Sequence, residues 1–244
     1  MRVLLLFLIL FCYSAGAQRI NTTLAYTVQS PANKRTDPPV LILLHGYGSN
    51  ELDLFSLAPE IGRNFLVFAL RGPLPAGNGG FCWFPLEFLP GQKFRYNYKT
   101  AVQSREKIIS FITDACREYK ADIKKVFVLG FSQGAIMAYD LAVAHPGKIK
   151  GVLALSGRMM PETDELKTDR SLFAGISFFV AHGTEDNIVR YADGKNAAEL
   201  IRKKGATRVK FRSYDAPHTI TRQELSDIRN WLAAEAIPKA IGKE

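Results

Sequence analysis

Short, unbroken apolar runs alternate with longer stretches of helical spacing along most of this chain. The runs at residues 40–44, 64–70, 125–129, 150–155, 176–181 and 209–214 predict strands. Their hydrophobicity is continuous rather than alternating, so they are expected to be buried on both faces, as in a parallel sheet covered by helices. Between them, residues 51–58, 100–119, 135–144, 193–204 and 221–236 read as helices. In the longest of these, Val102, Ile108, Ile109, Phe111, Ile112 and Cys116 lie on or near one face. The last helix opens on Thr221 with Glu224 three residues on, a capping box. Asp193 is read as the N-cap of the helix before it. The predicted fold class is α/β, with a mostly parallel central sheet and helices on both faces.

One segment breaks the alternation. Residues 71–98 hold no clear element, but they carry Pro73, Pro75, Gly77, Gly79 and Gly80, then Phe81, Trp83, Phe84, Phe88, Phe94, Tyr96 and Tyr98. A long irregular stretch inside a compact domain is a binding loop or a disordered one, and this aromatic content argues against disorder. It is expected to form a wall of the substrate cleft, with Trp83 and Phe84 as contacts.

The amino end reads as a removable signal. Met1 and Arg2 give a basic start, residues 3–12 are continuously apolar, and Ala15-Gly16-Ala17 suits cleavage. The run is shorter than the roughly 20 residues a bilayer span needs. Residues 1–17 are therefore expected to be lost, leaving one domain over 18–244 that is exported to a periplasm or the cell exterior, without stable membrane insertion. The formal charge of the whole chain is +9, but it is spread. Only Arg202, Lys203 and Lys204 cluster, late in a predicted helix, where cations complement the dipole. With no basic stripe interleaved with aromatics, nucleic acid is not an expected partner. Cys82 and Cys116 would remain after cleavage, and either a pair or two free core thiols fits the pattern. No spacing suggests a metal site.

The chemistry is carried by Gly130-Phe131-Ser132-Gln133-Gly134, a Gly-x-Ser-x-Gly motif set between an apolar run and a helical one. That context is a nucleophile elbow, with the serine exposed at a strand's carboxyl end. A serine needs a base, and the base an orienting carboxylate. On this type of sheet the order is serine, acid, histidine. His218 is the only histidine after His182, and it lies between the last strand and the last helix. The acid is expected after the strand at 176–181, where Asp186 is preferred over Glu185; Asp215 is the rival on the histidine's own turn. The oxyanion that forms needs backbone donors. The N–H of Gln133 supplies one, and the glycine-rich loop His45-Gly46-Tyr47-Gly48-Ser49 the other, through Tyr47 with Gly46 as alternative. His45 and His182 are read as braces, His145 as structural, and Ser156 as a residue of the cleft.

These segments together resemble the phospholipase/carboxylesterase family of α/β-hydrolases, which includes the acyl-protein thioesterases. The residues carrying the resemblance are Leu44-His45-Gly46-Tyr47-Gly48, Arg71-Gly72-Pro73, Trp83-Phe84, the serine motif, Leu155-Ser156-Gly157, His182-Gly183-Thr184-Glu185-Asp186 and His218. The chain departs from the family in placing Pro217 before the histidine. The resemblance implies an α/β-hydrolase fold and cofactor-free, metal-free hydrolysis of a small-molecule ester. It assigns Ser132, Asp186 and His218 to the triad and Tyr47 and Gln133 to the oxyanion hole. A serine carboxylesterase for small or medium acyl groups is the expected function. A peptidase or thioesterase of the same fold, or a binding module without catalysis, are the alternatives. The sequence leaves a homodimer open.

Overall fold

A computed structural model describes residues 20, 22–33, 36–91 and 93–236; the signal expected at 1–17 lies outside them. Seven strands form the main sheet: β1 (Tyr26–Gln29), β3 (Leu66–Leu70), β2 (Val40–Leu44), β8 (Val126–Phe131), β9 (Gly151–Leu155), β10 (Ser177–Gly183) and β11 (Arg208–Tyr214), in that spatial order. β1 runs antiparallel to β3, and every other pairing is parallel. The sheet grows outward from β2 in both directions. Its central strands are therefore covered on both faces, as continuous hydrophobicity requires.

The faces divide by residue parity. Val40, Ile42 and Leu44 of β2 point into one core. There they meet α3 (Tyr98–Glu118) and α4 (Gln133–Ala144), and the same core continues to α7 (Tyr191–Lys203). Leu41 and Leu43 point into the other, with α1 (Glu51–Phe55), α2 (Ala58–Ile61) and α8 (Arg222–Ala236). Two short helices, α5 (Pro161–Glu165) and α6 (Arg170–Ala174), fill the crossover between β9 and β10. Asp140, fully buried on α4, ties this region together. It accepts hydrogen bonds from Arg105 on α3, Tyr98 and Thr163 on α5, so the buried charge is both paired and hydrogen-bonded.

The irregular stretch contains two small hairpins, β4 (Leu74–Pro75) with β5 (Phe81–Cys82), and β6 (Glu87–Leu89) with β7 (Lys93–Arg95). In the second, Phe88 pairs with Phe94 on one face, while Glu87 and Arg95 form an ion pair of 2.7 Å. Cys82 and Cys116 are both buried and free. Asp193 is not an N-cap. Arg190 occupies that position, and Asp193 sits in the first turn of α7, paired with Arg190 at 2.7 Å.

The capping box at α8 forms as expected. Glu224 N–H donates to Thr221 Oγ1 at 3.1 Å, and Thr221 N–H to Glu224 Oε2 at 3.4 Å. Glu224 is nevertheless only 2% exposed, and burial pushes its carboxyl up to about 7. An unfolded chain releases that proton near pH ~4.3. Between there and pH 7 the unfolded state alone ionises, so stability falls as pH rises, by up to about 3 kcal/mol. Glu224→Gln keeps the acceptor and removes the charge. The variant is expected to be more stable than wild type at pH 8, with the difference shrinking toward zero at pH 4, measured by urea unfolding. An equal difference at both pH values contradicts this account.

Candidate active site

Ser132 stands between β8 and α4 with φ 53° and ψ −114°, a conformation that costs a non-glycine residue about 1–3 kcal/mol. The turn is held closed by contacts that only glycine permits. A Cβ on Gly130 would lie 2.1 Å from the Gly134 carbonyl oxygen, and one on Gly134 would lie 1.9 Å from that of Leu44. The Ser132 N–H donates to Leu155 O at 2.9 Å, fixing the elbow to the end of β9. Gln133 is the first residue of α4, so its N–H is among the four amides for which the helix has no carbonyl, at the positive end of the dipole.

The loop after β2 lies against this elbow. A Cβ on Gly46 would sit 3.5 Å from Ser132 Cβ. The amides of Gly48 and Ser49 are engaged, by Phe81 O at 2.9 Å and Gly46 O at 3.3 Å, while Tyr47 lines the cleft together with Ser132 and Gln133. His45 braces the loop. Its Nε2 accepts from Gly72 N–H at 2.9 Å, which leaves Nδ1–H to donate to Gly46 O at 2.7 Å. Burial lowers the imidazole's pKa, in keeping with this neutral form.

Asp186 lies in the loop after β10 with its side chain wholly buried. Its Oδ1 accepts from the N–H groups of Ile188 and Val189, both at 2.9 Å. Its Oδ2 accepts from His218 Nδ1 at 2.7 Å. The Nε2–H of His182 is shared between Val189 O at 2.9 Å and Asp186 Oδ2 at 3.2 Å. Burial alone would raise the Asp186 carboxyl. The hydrogen bonds from His182, His218 and the two amides outweigh it and hold the group well below the usual carboxylate range. With Nδ1–H directed to the carboxylate, the imidazole presents Nε2 as an acceptor. Its ring rests on Phe131, centroids 4.8 Å apart, and lines the same cleft as Ser132. The structure thus pairs His218 with Asp186, the preferred acid.

The cleft holds about 250 Å³. Its apolar wall comprises Leu86, just before the second hairpin, Phe88 and Phe94 from that hairpin, Ile136 from α4, and Ile188 and Val189 from the acid's loop. Phe88 touches the Tyr47 ring, and Arg158 caps Phe94 at 4.3 Å. The aromatic stretch is therefore a cleft wall through its hairpin. The two residues expected to make the contacts are placed elsewhere: Trp83 and Phe84 are fully buried behind the wall. Gln133 clamps them, accepting from Trp83 N–H at 2.9 Å and donating to Phe84 O at 2.6 Å. Trp83 also donates its indole N–H to His45 O at 2.9 Å and accepts at its carbonyl from Ser104. It joins the elbow to the loop after β2 rather than meeting solvent. Ser156 is likewise buried, at φ 50°, with its N–H bonded to Ala181 O at 2.8 Å. It links the ends of β9 and β10 and does not line the cleft. Ile136, Ile188 and Val189 carried no sequence signal beyond ordinary apolar character.

A largely parallel sheet bearing a serine on a strand-to-helix elbow, with an acid and a histidine on later strand ends, is the α/β-hydrolase arrangement. The chain belongs to the Phospholipase/Carboxylesterase family, whose sequence profile matches residues 25–236. It is 28% identical over 222 residues to acyl-protein thioesterase 1 of Candida albicans, covering 84% of this chain and 95% of that protein. It is 26% identical over 186 residues to the esterase YpfH of Escherichia coli, covering 72% and 73%. A carboxylesterase of Bacillus cereus superposes with a TM-score of 0.75 at 26% identity, over 87% of this chain and 95% of that one. The protein is therefore a hydrolase of the esterase and thioesterase class.

Proposed function

We propose that the protein is a serine carboxylesterase that hydrolyses small or medium acyl esters through an acyl-enzyme. The observation that carries this reading is the 2.7 Å hydrogen bond from His218 Nδ1 to Asp186, made by an imidazole that lines the same cleft as Ser132. His218 Nε2 takes the Ser132 proton as Oγ bonds to the ester carbon. Asp186 fixes the tautomer and balances the imidazolium. The carbonyl oxygen gains charge against the amides of Tyr47 and Gln133. Collapse breaks the bond to the alcohol, which leaves with the proton from His218. Water then repeats the sequence, regenerating Ser132 and releasing the acid. No step calls for a cofactor.

The cleft supports the size of the acyl group. Its volume of about 250 Å³ falls just below the usual range of ligand sites, which begins at about 300 Å³, and its wall is apolar. The alternative of a thioesterase is supported by the similarity to acyl-protein thioesterases. A panel built on one medium-chain acid separates these readings. The aryl ester is expected to be the best substrate, the alkyl thioester slower, and the aryl amide at least about 100-fold slower. A thioester preference, or amide turnover matching the ester, refutes the carboxylesterase assignment, and no turnover of any favours a binding module. Export, with a mature chain starting near Gln18, belongs to this reading on the pattern of residues 1–17 alone; N-terminal sequencing reads it directly.

A further inference from the structure

The cleft around Ser132 continues past the imidazole. Against the Phe131 and His218 rings lies a second hollow of about 240 Å³, also lined by Ser56, Thr219, Leu54, Leu57 and Ile220. Asp53, Phe131 and His218 line both hollows. The two differ in character, since the hollow beyond the imidazole adds hydroxyls while the one at Ser132 is walled by aromatic and aliphatic side chains.

Among the described residues, Asp53 is the one carboxylate that lines either hollow, and no lysine or arginine lines them. It lies on α1 and is exposed. Ser49 Oγ–H donates to its Oδ2 at 2.8 Å, which orients the carboxylate without neutralising it. Its neighbour Glu51 is already paired with Arg71, so among the described residues Asp53 alone brings an unpaired negative charge to the cleft. The rings of Phe131 and Tyr47 line the same cleft. A carboxylate sharing a cleft with aromatic rings is the chemistry that recognises an organic cation.

Where such a cation would sit follows from the reaction. The ester carbonyl must lie at Ser132, and the leaving oxygen must lie within reach of His218, which protonates it. The acyl chain takes the apolar wall. The alcohol then passes the imidazole toward Asp53 and the hydroxyl-bearing hollow. We propose that the alcohol portion of the substrate is an amino alcohol, carrying an amine or quaternary ammonium a few bonds beyond the ester oxygen, and that Asp53 is its counter-ion. This rests on the serine-esterase reading of the same site. The chain's net charge of +9 opposes a cationic substrate, but charges more than about 8 Å away are screened at physiological salt, and a carboxylate in contact outweighs them.

The test compares two esters of one apolar acid: the choline ester, and the 3,3-dimethylbutyl ester, which has the same shape with carbon in place of the charged nitrogen. In wild type the choline ester is expected to have a roughly tenfold higher kcat/KM, and the advantage should shrink as sodium chloride approaches 1 M. In Asp53→Asn, which keeps an acceptor for the Ser49 hydroxyl, the ratio should fall to about one. Asp53→Glu, which keeps the charge, should retain most of the preference. A wild-type ratio near one overturns the proposal and leaves the esterase standing, provided the neutral ester is cleaved. So does an equal loss on both esters in Asp53→Asn, which would make Asp53 a positioning residue. If wild type cleaves neither ester, the serine-esterase reading fails and this inference fails with it.

Discussion

Replacing Ser132 with alanine is expected to lower kcat for ester hydrolysis by roughly 10⁴- to 10⁶-fold without unfolding the protein. In the proposed mechanism the hydroxyl oxygen bonds to the ester carbon, while His218 and Asp186 move and balance its proton. Alanine keeps the Cβ, so it meets the same backbone conformation at φ 53° and the same hydrogen bond from residue 132 N–H to Leu155 O. Thermal unfolding should shift little while turnover of an aryl ester disappears. The residual rate should be that of binding and oxyanion stabilisation alone. An alanine variant that retains even a tenth of the wild-type rate would move the nucleophile elsewhere.

Gly134→Ala is expected to damage stability and catalysis together. The added methyl would lie 1.9 Å from the Leu44 carbonyl oxygen and 2.9 Å from that of His45. Both obstacles are backbone, so no side chain can swing aside, and the start of α4 must part from the end of β2. A cost of about 2–4 kcal/mol is expected in urea unfolding. The same displacement separates the amide of Gln133 from the loop that carries Tyr47. Loss of one oxyanion donor typically costs about 100- to 1,000-fold, and kcat/KM should fall by about that much. A variant with wild-type melting and wild-type rate would mean that this contact does not set the geometry of the site.

The main architecture could be read from the pattern because buried parallel strands leave a plain mark. Runs such as Val40–Leu44 are apolar at every position, and helices such as Tyr98–Glu118 bury a periodic face. Most of their ends shifted by one or two residues, but the helix expected at 51–58 stops at Phe55 and a separate helix takes Ala58–Ile61. The elbow was legible because its two glycines have no other reason to flank a serine between a strand and a helix. β1 was not, since four residues with Thr27 and Gln29 among them carry too little hydrophobicity; the strand gains its place from Tyr26 packing on Phe68 and Phe111. The hairpins of the irregular stretch were hidden for a similar reason, having at most three residues per strand.

The expected contacts that do not line the cleft have two causes. Trp83 and Phe84 carry the aromatic character of a cleft wall, but their position is set by a glutamine about fifty residues away that bonds both main chains. Composition cannot show which side of a loop is tethered. Ser156 followed the rule that residues at strand ends meet the ligand, yet its left-handed backbone turns it into the seam between β9 and β10. Asp53 shows the reverse. In the sequence it is one acidic residue in the first turn of a short helix, and only the tertiary fold brings it beside His218.

The most direct measurement of the central claim is to treat the folded protein with a fluorophosphonate and map the adduct by peptide mass spectrometry. The account predicts one adduct, on Ser132, with esterase activity lost in proportion to labelling and no adduct on the Ser132→Ala variant. An adduct at another residue, or ester hydrolysis that survives complete modification of Ser132, would contradict it.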